Sequence, residues 1–317
     1  MIQFIGSLFA AVIPILIYLL IIWWLDRNER EPFVFLFLNF FWGATGAIIL
    51  AIIGSIIFQI PISTIIVSVS NDNPEDLISL SGAIITAPVV EEFTKGIFLL
   101  LISFSKKFDG VVDGVVYGGA IGLGFGMTEN FIYFIGEQEN WLAIVVIRTL
   151  FSAILHTLAQ ATFGAAVGFA KFRSAGFKLI MIPLGYLLAV LIHFFWNLMV
   201  SFEHTALFGF VFVFFYTAGL IILFQIALYH EQKIISKELS EEAQFGIIPV
   251  EHLYFLPYVS RRKSKVWLPI NFRKKKYIDY AITLALRKDQ LRKIGQRNIV
   301  YEREIENLRN NIRSLFN

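Results

Sequence analysis

Seven stretches of the chain are apolar along almost their whole length, near 3–25, 33–58, 77–104, 110–135, 141–170, 179–202 and 206–229. A helix needs roughly 20 residues to cross a hydrocarbon core of about 30 Å, and each stretch is long enough. Backbone polar groups find no water in lipid, so a spanning segment is a helix or part of a closed barrel. The runs are continuous rather than alternating over ten residues, which excludes the barrel. The pattern predicts an all-α fold: a polytopic transmembrane helical bundle of about seven spans over residues 1–230, followed by a cytoplasmic, helical C-terminal tail over 231–317.

The tail reads differently. It opens with a short amphipathic piece, passes Pro249, Pro257 and Pro269, and is basic from Arg261 to Lys276. Leu291, Ile294, Asn298, Tyr301, Ile305, Leu308, Ile312 and Leu315 then repeat at spacings of three and four, as a helix with one apolar stripe does. Such a helix packs on its own domain or lies on the lipid surface. The sharper use of the stripe is a homodimer seam with Asn298 setting the register.

Charge orients the spans, because positive loops stay on the cytoplasmic side. Loops one, three and five carry Arg27 and Arg30, then Lys106 and Lys107, then Lys171, Arg173 and Lys178. Loops two, four and six hold no Lys or Arg and instead carry Asn71, Asp72, Glu75 and Asp76, then Glu137 and Glu139, then Glu203. The alternation predicts a multi-pass protein of the plasma (inner) membrane, N-terminus outside and C-terminus in the cytoplasm. Trp23, Trp24 and Trp141 fall near span ends, where amphipathic rings settle. The first segment lacks a positive leader and a small-residue cleavage site, so it reads as a retained span.

Composition agrees with the pattern. At 57% apolar residues and a mean hydropathy of +0.69, too little polar surface remains to coat a soluble globule. The net charge of +3 conceals an asymmetry, since 18 of the 27 Lys and Arg lie beyond residue 229. A tail held at a bilayer meets anionic lipid, so the lipid bilayer explains this charge and nucleic acid is not expected as a partner. With no cysteine, disulfides, thiol catalysis and cysteine-ligated metal are excluded.

Glycines at 110, 114, 118, 122 and 126 lay a bare stripe along span four, and Gly164 and Gly168 repeat it on span five. Backbones approach closely along such stripes. Glu129 and Asn130 lie at the end of this stripe and so should face protein. Span three holds Pro88, Glu91, Glu92 and Lys95 within an apolar run. A charged centre costs roughly 2.5–3.5 kcal/mol on insertion scales and an aliphatic residue returns only about 0.3–0.6 kcal/mol, so this face must be buried against other helices. Lys95 can pair with either glutamate, leaving one as a structural anion and the other as a general base, with Pro88 loosening the turn before them. The spacing leaves open which is which.

Arg148 and His156 on span five and His193, Trp196 and Asn197 on span six complete the polar set. Depth, at about 1.5 Å per residue, permits one cluster of Glu91, Glu92, Glu129, His156 and His193. An ion pair with Glu129 is the plain reading of Arg148. Gln160, one turn from His156, reads as fixing its tautomer, and Asp113 as a solvated residue reaching headgroups. His204, His230 and His252 lie outside this core.

Peptide hydrolysis in a membrane needs a water-activating group and an oxyanion stabiliser. The chain has no HExxH, no paired intramembrane aspartates and no Gly-x-Ser-Gly turn, so glutamate, histidine and asparagine are what remain. Glu91 or Glu92 would activate water, a histidine would hold or protonate it, and Asn197 with His193 would donate to the oxyanion. The same groups define the rival, an ion-coupled transporter, for which inverted repeats are expected and none is visible.

At these residues the chain resembles a known family. Glu91-Glu92-Phe-Thr-Lys95 looks like its paired-glutamate motif, Phe125-Gly-Met-Thr-Glu129-Asn130 its second, Arg148 through His156 its third, and His193-Phe-Phe-Trp196-Asn197 its fourth. This is the PrsW family of intramembrane proteases, distantly similar to the type II CAAX prenyl proteases, and the resemblance covers roughly 10–230. Tyr277 to Leu291 also looks like a segment found after the membrane domain in some members. The resemblance implies a peptidase acting on a membrane-anchored protein substrate, with regulated cleavage of anti-sigma factors as the best-known task. Catalytic roles then fall to Glu91, Glu92, Glu129, His156, His193 and Asn197, supported by Lys95, Asn130 and Arg148. Where the CAAX relatives carry a water-binding histidine this chain has Glu129, so their mechanism does not transfer directly. Glu92, Glu129, His156 and His193 could also ligate zinc with an open position. A glutamate mechanism without metal uses the same residues and is the preferred expectation.

Overall fold

The computed structural model describes residues 2–70, 73–137, 139–269, 272–295 and 297–316. Asn71 and Asp72, read above as part of an acidic loop, lie outside the described residues. Among the described residues the secondary structure is helical, without strands. The chain divides into two units: Met1–Leu25, Glu31–Lys171 and Ala175–Ile222 form the first, and Asp26–Arg30, Phe172–Ser174 and Leu223–Asn317 the second.

The first unit is a bundle. Helix α1 is Ile2–Leu25, α2 is Phe33–Val69, α3 runs over 74–102, α4 is Val111–Gly136, α5 is Trp141–Ala170 and α6 is Ala175–Val200. Helix α7, Glu203–Gln244, begins in this unit. Six helices among the described residues, α1, α2, α4, α5, α6 and α7, are long and apolar enough to cross a membrane. The chain is thus a multi-pass membrane protein of the expected class. Helix α3, counted above as a span, is not one of the six and is the helix that carries Glu91, Glu92 and Lys95. Two helices overrun their expected limits: α2 continues to Val69, and the amphipathic opening of the tail is an extension of α7 to Gln244.

Helix α4 forms the centre, with 78% of its most apolar stretch buried. The glycine stripe makes this possible. A Cβ on Gly114 would stand 1.9 Å from the Gly164 carbonyl oxygen, and one on Gly122 would stand 2.2 Å from that of His156. No real Cβ approaches so closely, so α4 and α5 touch backbone to backbone as the stripe predicts. Helix α3 begins with Pro74 in its first turn and Glu75 and Asp76 beside it, a favourable start at the positive end of a helix dipole.

Three helices of this unit contain a π-helical turn: Gly43–Ala47 in α2, Gly82–Thr86 in α3 and Arg148–Ser152 in α5. In α3 the turn immediately precedes Pro88, which has no N–H to offer the carbonyl four residues back. Side chains from other helices take up backbone carbonyls of two of these turns. Thr128 Oγ1 donates to Ala44 O at 2.7 Å, and Asn197 Nδ2 donates to Ala83 O at 2.8 Å. Asp113, expected among the headgroups, is instead 3% exposed and accepts from the Asp109 N–H, while the Tyr117 hydroxyl donates to Glu31 nearby.

The second unit has its own core. Helices α8, Lys274–Ile294, and α9, Ile299–Arg313, pack with the end of α7 around Ile235, Leu239, Leu256, Tyr277, Leu284 and Ile312. Tyr277 to Leu291, a stretch with no role assigned from sequence, supplies much of that core. The apolar stripe splits in two: Gly295, at φ 66°, ends α8, and Asn298 caps α9 by accepting from Val300 N and Tyr301 N. Ile305, Leu308 and Ile312 are buried within this same core, so the face proposed for a homodimer seam is covered by the chain itself. Lys288 sits between Glu242 at 2.7 Å and Glu241 at 3.3 Å, and Arg309 grips both oxygens of Glu242 at 2.8 Å. Loop residues also enter this unit. Asn28 Nδ2 donates to Leu228 O at 2.8 Å and Glu231 at 2.7 Å, Arg262 donates to Asn28 O at 2.7 Å, and Thr283 donates to Glu29 at 2.8 Å.

Candidate active site

Four helices deliver the polar residues singled out from sequence. Helix α3 brings Glu91, Glu92 and Lys95, α4 brings Glu129 and Asn130, α5 brings Arg148 and His156, and α6 brings His193. Close α4–α5 packing at Gly122 sets the backbone of His156 against α4, about two helical turns from Glu129. Tyr186 donates to Val89 O at 2.7 Å and Trp42 to Thr94 O at 3.2 Å, which seats α3 against α6 and α2 on either side of its glutamates.

Lys95 lies at the middle of the cluster and is fully buried. Its ammonium contacts Glu92 Oε1 at 2.7 Å, His156 Nδ1 at 3.0 Å and, more distantly, Glu91 Oε2 at 3.7 Å, and rests 3.9 Å above the centre of the Phe125 ring. Glu92 has both oxygens occupied, since His193 Nδ1 lies 2.8 Å from Oε1 and Gln160 Nε2 donates to Oε2 at 2.8 Å. Gln160 therefore braces Glu92 and not His156, contrary to the reading from spacing alone. A chain of partners leads away from His156: Nε2 to Glu129 Oε2 at 2.6 Å, Glu129 to Arg148 at 2.7 Å, and Arg148 Nε to Asn130 Oδ1 at 3.1 Å. The Glu129–Arg148 ion pair is the one expected. The guanidinium also covers the Tyr133 ring at 3.6 Å.

These partners fix the tautomers. A lysine donates to His156 Nδ1, so the ring proton is on Nε2 and goes to Glu129. A carboxylate held by lysine accepts from His193 Nδ1, which leaves the lone pair of His193 on Nε2. One further acceptor is open: Glu91 Oε2 is buried and has no hydrogen-bond partner. Its side chain is 14% exposed, whereas that of Glu92 is fully buried. One ligand atom each from Glu91, His156 and His193 lie within 4.8 Å of one another. The rings of the two histidines meet edge to face, with centroids 4.9 Å apart.

One carboxylate oxygen and two imidazole nitrogens are the donor types of a catalytic zinc site, and Glu91 and His193 fit such an ion, whereas His156 could join them only where the Lys95 ammonium gives up its Nδ1. Each imidazole is backed by a carboxylate, His193 by Glu92 and His156 by Glu129, the arrangement that orients histidine ligands. This set differs from the one read from sequence, because Glu92 and Glu129 stand behind the histidines and Glu91 stands among them. Asn197, placed above with His193 as an oxyanion donor, gives its amide to the Ala83 carbonyl in the π-helical turn of α3. Phe125, Thr128 and Gln160 were legible as motif or near-motif positions, but their partners lie on other helices and no spacing within one helix reveals them.

A bundle of apolar helices that encloses a connected set of carboxylates, imidazoles and one ammonium defines a multi-pass membrane protein with a buried ionisable centre. The chain belongs to the PrsW family of intramembrane metalloproteases, whose family model matches residues 31–223. A protease PrsW of Clostridioides difficile is 28% identical over 165 residues, 51% of this chain and 65% of its own length, so the match spans less than two thirds of that relative. One from Oceanobacillus iheyensis is 30% identical over 172 residues, 54% of this chain and 74% of its own. One from Bacillus subtilis is 31% identical over 98 residues, 30% of this chain and 44% of its own. No solved structure matches the chain.

Proposed function

We propose that the chain is an intramembrane peptidase that hydrolyses a peptide bond of a membrane-anchored protein at Glu91, His156 and His193. One observation carries this reading: Glu91 Oε2 is a buried carboxylate oxygen with no hydrogen-bond partner, and a ligand atom of Glu91 lies within 4.8 Å of one from each of His156 and His193, while Glu92 is held by Lys95, His193 and Gln160. Family membership supports it independently.

Glu91 is the group that takes the proton from water, since Glu92 is spent on Lys95, His193 and Gln160. Glu92 fixes His193 with Nε2 toward the reacting water, and Glu129 holds His156 in the Nε2–H tautomer. Lys95 is the counter-ion of Glu92 in an apolar setting. Asn197 and Thr128 act as positioning residues, through the π-helical turns that precede the catalytic part of α3 and follow the entry of α2. A zinc ion held by Glu91 and His193, with His156 as a third ligand through Nδ1 in place of its contact to Lys95, would lower the pKa of its water and polarise the scissile carbonyl. Of the two mechanisms open from sequence, membership of a metalloprotease family supports the metal-assisted one. The finer reading carried with it is an N-terminus outside, a C-terminus in the cytoplasm of the plasma membrane, and an anti-sigma factor as substrate.

The test is cleavage of a single-span substrate by the purified full chain in liposomes, read by mass spectrometry of the products. The wild type should yield a defined cut that Glu91→Gln and His193→Ala abolish. Elemental analysis should find bound zinc in the wild type and its loss in His193→Ala, and a chelator should stop cleavage until zinc is restored. Uncut substrate with wild-type protein would overturn the peptidase reading. Cleavage indifferent to chelation would return the site to the metal-free mechanism.

A further inference from the structure

The second unit carries charge that neither its core nor the membrane site uses. After the helical turn Val259–Arg262 the chain continues Lys263-Ser-Lys265-Val266-Trp267-Leu268-Pro269, and α8 opens on Arg273-Lys274-Lys275-Lys276. Two side chains pin this segment from within: Trp267 stacks on Phe255 with ring centroids 5.0 Å apart, and Leu268 is buried. Around those pins Lys274 donates back to Ser264 O, and most of the other side chains are exposed. Lys263, Lys265, Arg273, Lys275 and Lys276 belong to this exposed set, and Val266, at 91%, is the most exposed large hydrophobic residue among those described.

These cations differ from the others of the unit. Lys288, Arg292 and Arg309 are neutralised by Glu238, Glu241 and Glu242. Among the described residues none of the five exposed cations forms a salt bridge, and the first turn of α8 contains no acidic residue. Asp279, a turn further along, is the nearby acid and lies in the field of Lys275 and Arg262. An exposed valine next to Lys265 and close in sequence to Lys263, on a stretch tied to the basic first turn of α8 by Lys274 donating to Ser264 O, has two complements in one surface: anionic headgroups for the charges, and the acyl boundary beneath them for the valine. Nucleic acid fits less well, because Trp267, the ring that could stack on a base, is turned inward on Phe255.

We propose that Lys263–Val266 and the first turn of α8 dock on the surface of an anionic bilayer, with Val266 inserted among the headgroups. The spanning helices already hold the chain at the membrane, so the contact forms at high effective concentration and needs little affinity of its own.

The chain has no cysteine, so Val266→Cys creates a single labelling site. The full chain, labelled there with an environment-sensitive dye, is reconstituted in phosphatidylcholine vesicles with or without phosphatidylglycerol, each doped with quencher lipid. A blue shift and quenching are expected in the anionic vesicles alone. Both should vanish in about 1 M salt, where the screening length falls to about 3 Å. Both should also be lost when Lys263, Lys265, Arg273, Lys275 and Lys276 are replaced by Gln, and kept when the four lysines are replaced by Arg. Equal spectra in the two vesicles, or a shift that survives the Gln replacements, would overturn the proposal. So would a larger response to a single-stranded oligonucleotide than to phosphatidylglycerol.

Discussion

Glu91 and Glu92 are adjacent in sequence and face different demands. Glu92 is fully buried and satisfies Lys95, His193 and Gln160 at once, so Glu92→Gln leaves a buried ammonium short of its closest anion. The expected cost is about 3–5 kcal/mol, seen as a lower midpoint in denaturant titration in detergent. Glu91 touches Lys95 only at 3.7 Å, so Glu91→Gln should change stability by less than about 1 kcal/mol while abolishing cleavage. Equal destabilisation by the two variants would contradict this division. Sequence placed both residues and Lys95 in one buried group, but could not rank the glutamates, because the partners that decide come from α5 and α6. A second residue-scale expectation concerns His252, whose Nδ1 meets the Tyr277 hydroxyl at 2.9 Å and whose imidazole burial pushes below its ordinary 6.5. The folded state favours the neutral ring, so its contribution is present above pH 6.5 and is lost as pH falls toward the lowered value. Hydrogen exchange of the Val250–Tyr254 turn should therefore rise on acidification, and a His252→Phe variant should not show the rise.

Element-scale behaviour follows from two devices, the glycine seam and the π-helical turns. A methyl group at Gly122 would meet the His156 carbonyl oxygen at 2.2 Å, so Gly122→Ala must push α4 and α5 apart. A displacement of about 1 Å at His156 is enough for roughly a hundredfold loss of cleavage. Gly176→Ala, where nothing lies within 4 Å, should leave the rate unchanged in the same assay. The seam was readable in the sequence because its period matches the helix and glycine is its own signal. The π-helical turns were not, since Pro88 hints at one and nothing in the local composition announces the others. Their consequence falls on Asn197. A donor to the oxyanion costs about a hundredfold or more in rate when removed. As a clasp on Ala83, Asn197→Leu should instead cost less than that and raise hydrogen exchange across Gly82–Thr86.

At the scale of the whole molecule, the helical class and six of its spans were legible from unbroken apolar runs, α3 was read as a seventh, and for the tail the helix was legible but not which surface its stripe meets. A stripe repeating at three and four looks the same whether it meets a lipid surface, a second copy or its own domain. Here Ile305, Leu308 and Ile312 fill the core of the second unit. Ile312→Ala should therefore cost about 2–5 kcal/mol and speed proteolysis of the tail, with no change in the mass of the assembly measured by light scattering. A fall in mass would point to an intermolecular seam.

Residues 26–30 belong by structure with a segment that follows them by some two hundred positions, as in the bond from Thr283 to Glu29, 254 residues apart in the chain. During synthesis that short loop emerges early and waits some two hundred residues for its first partners, Leu228 and Glu231, and longer still for Arg262 and Thr283. The last unit to be completed is thus one whose first piece was laid down near the beginning, and a ribosome that stops short of α8 leaves Glu29 without its partner Thr283.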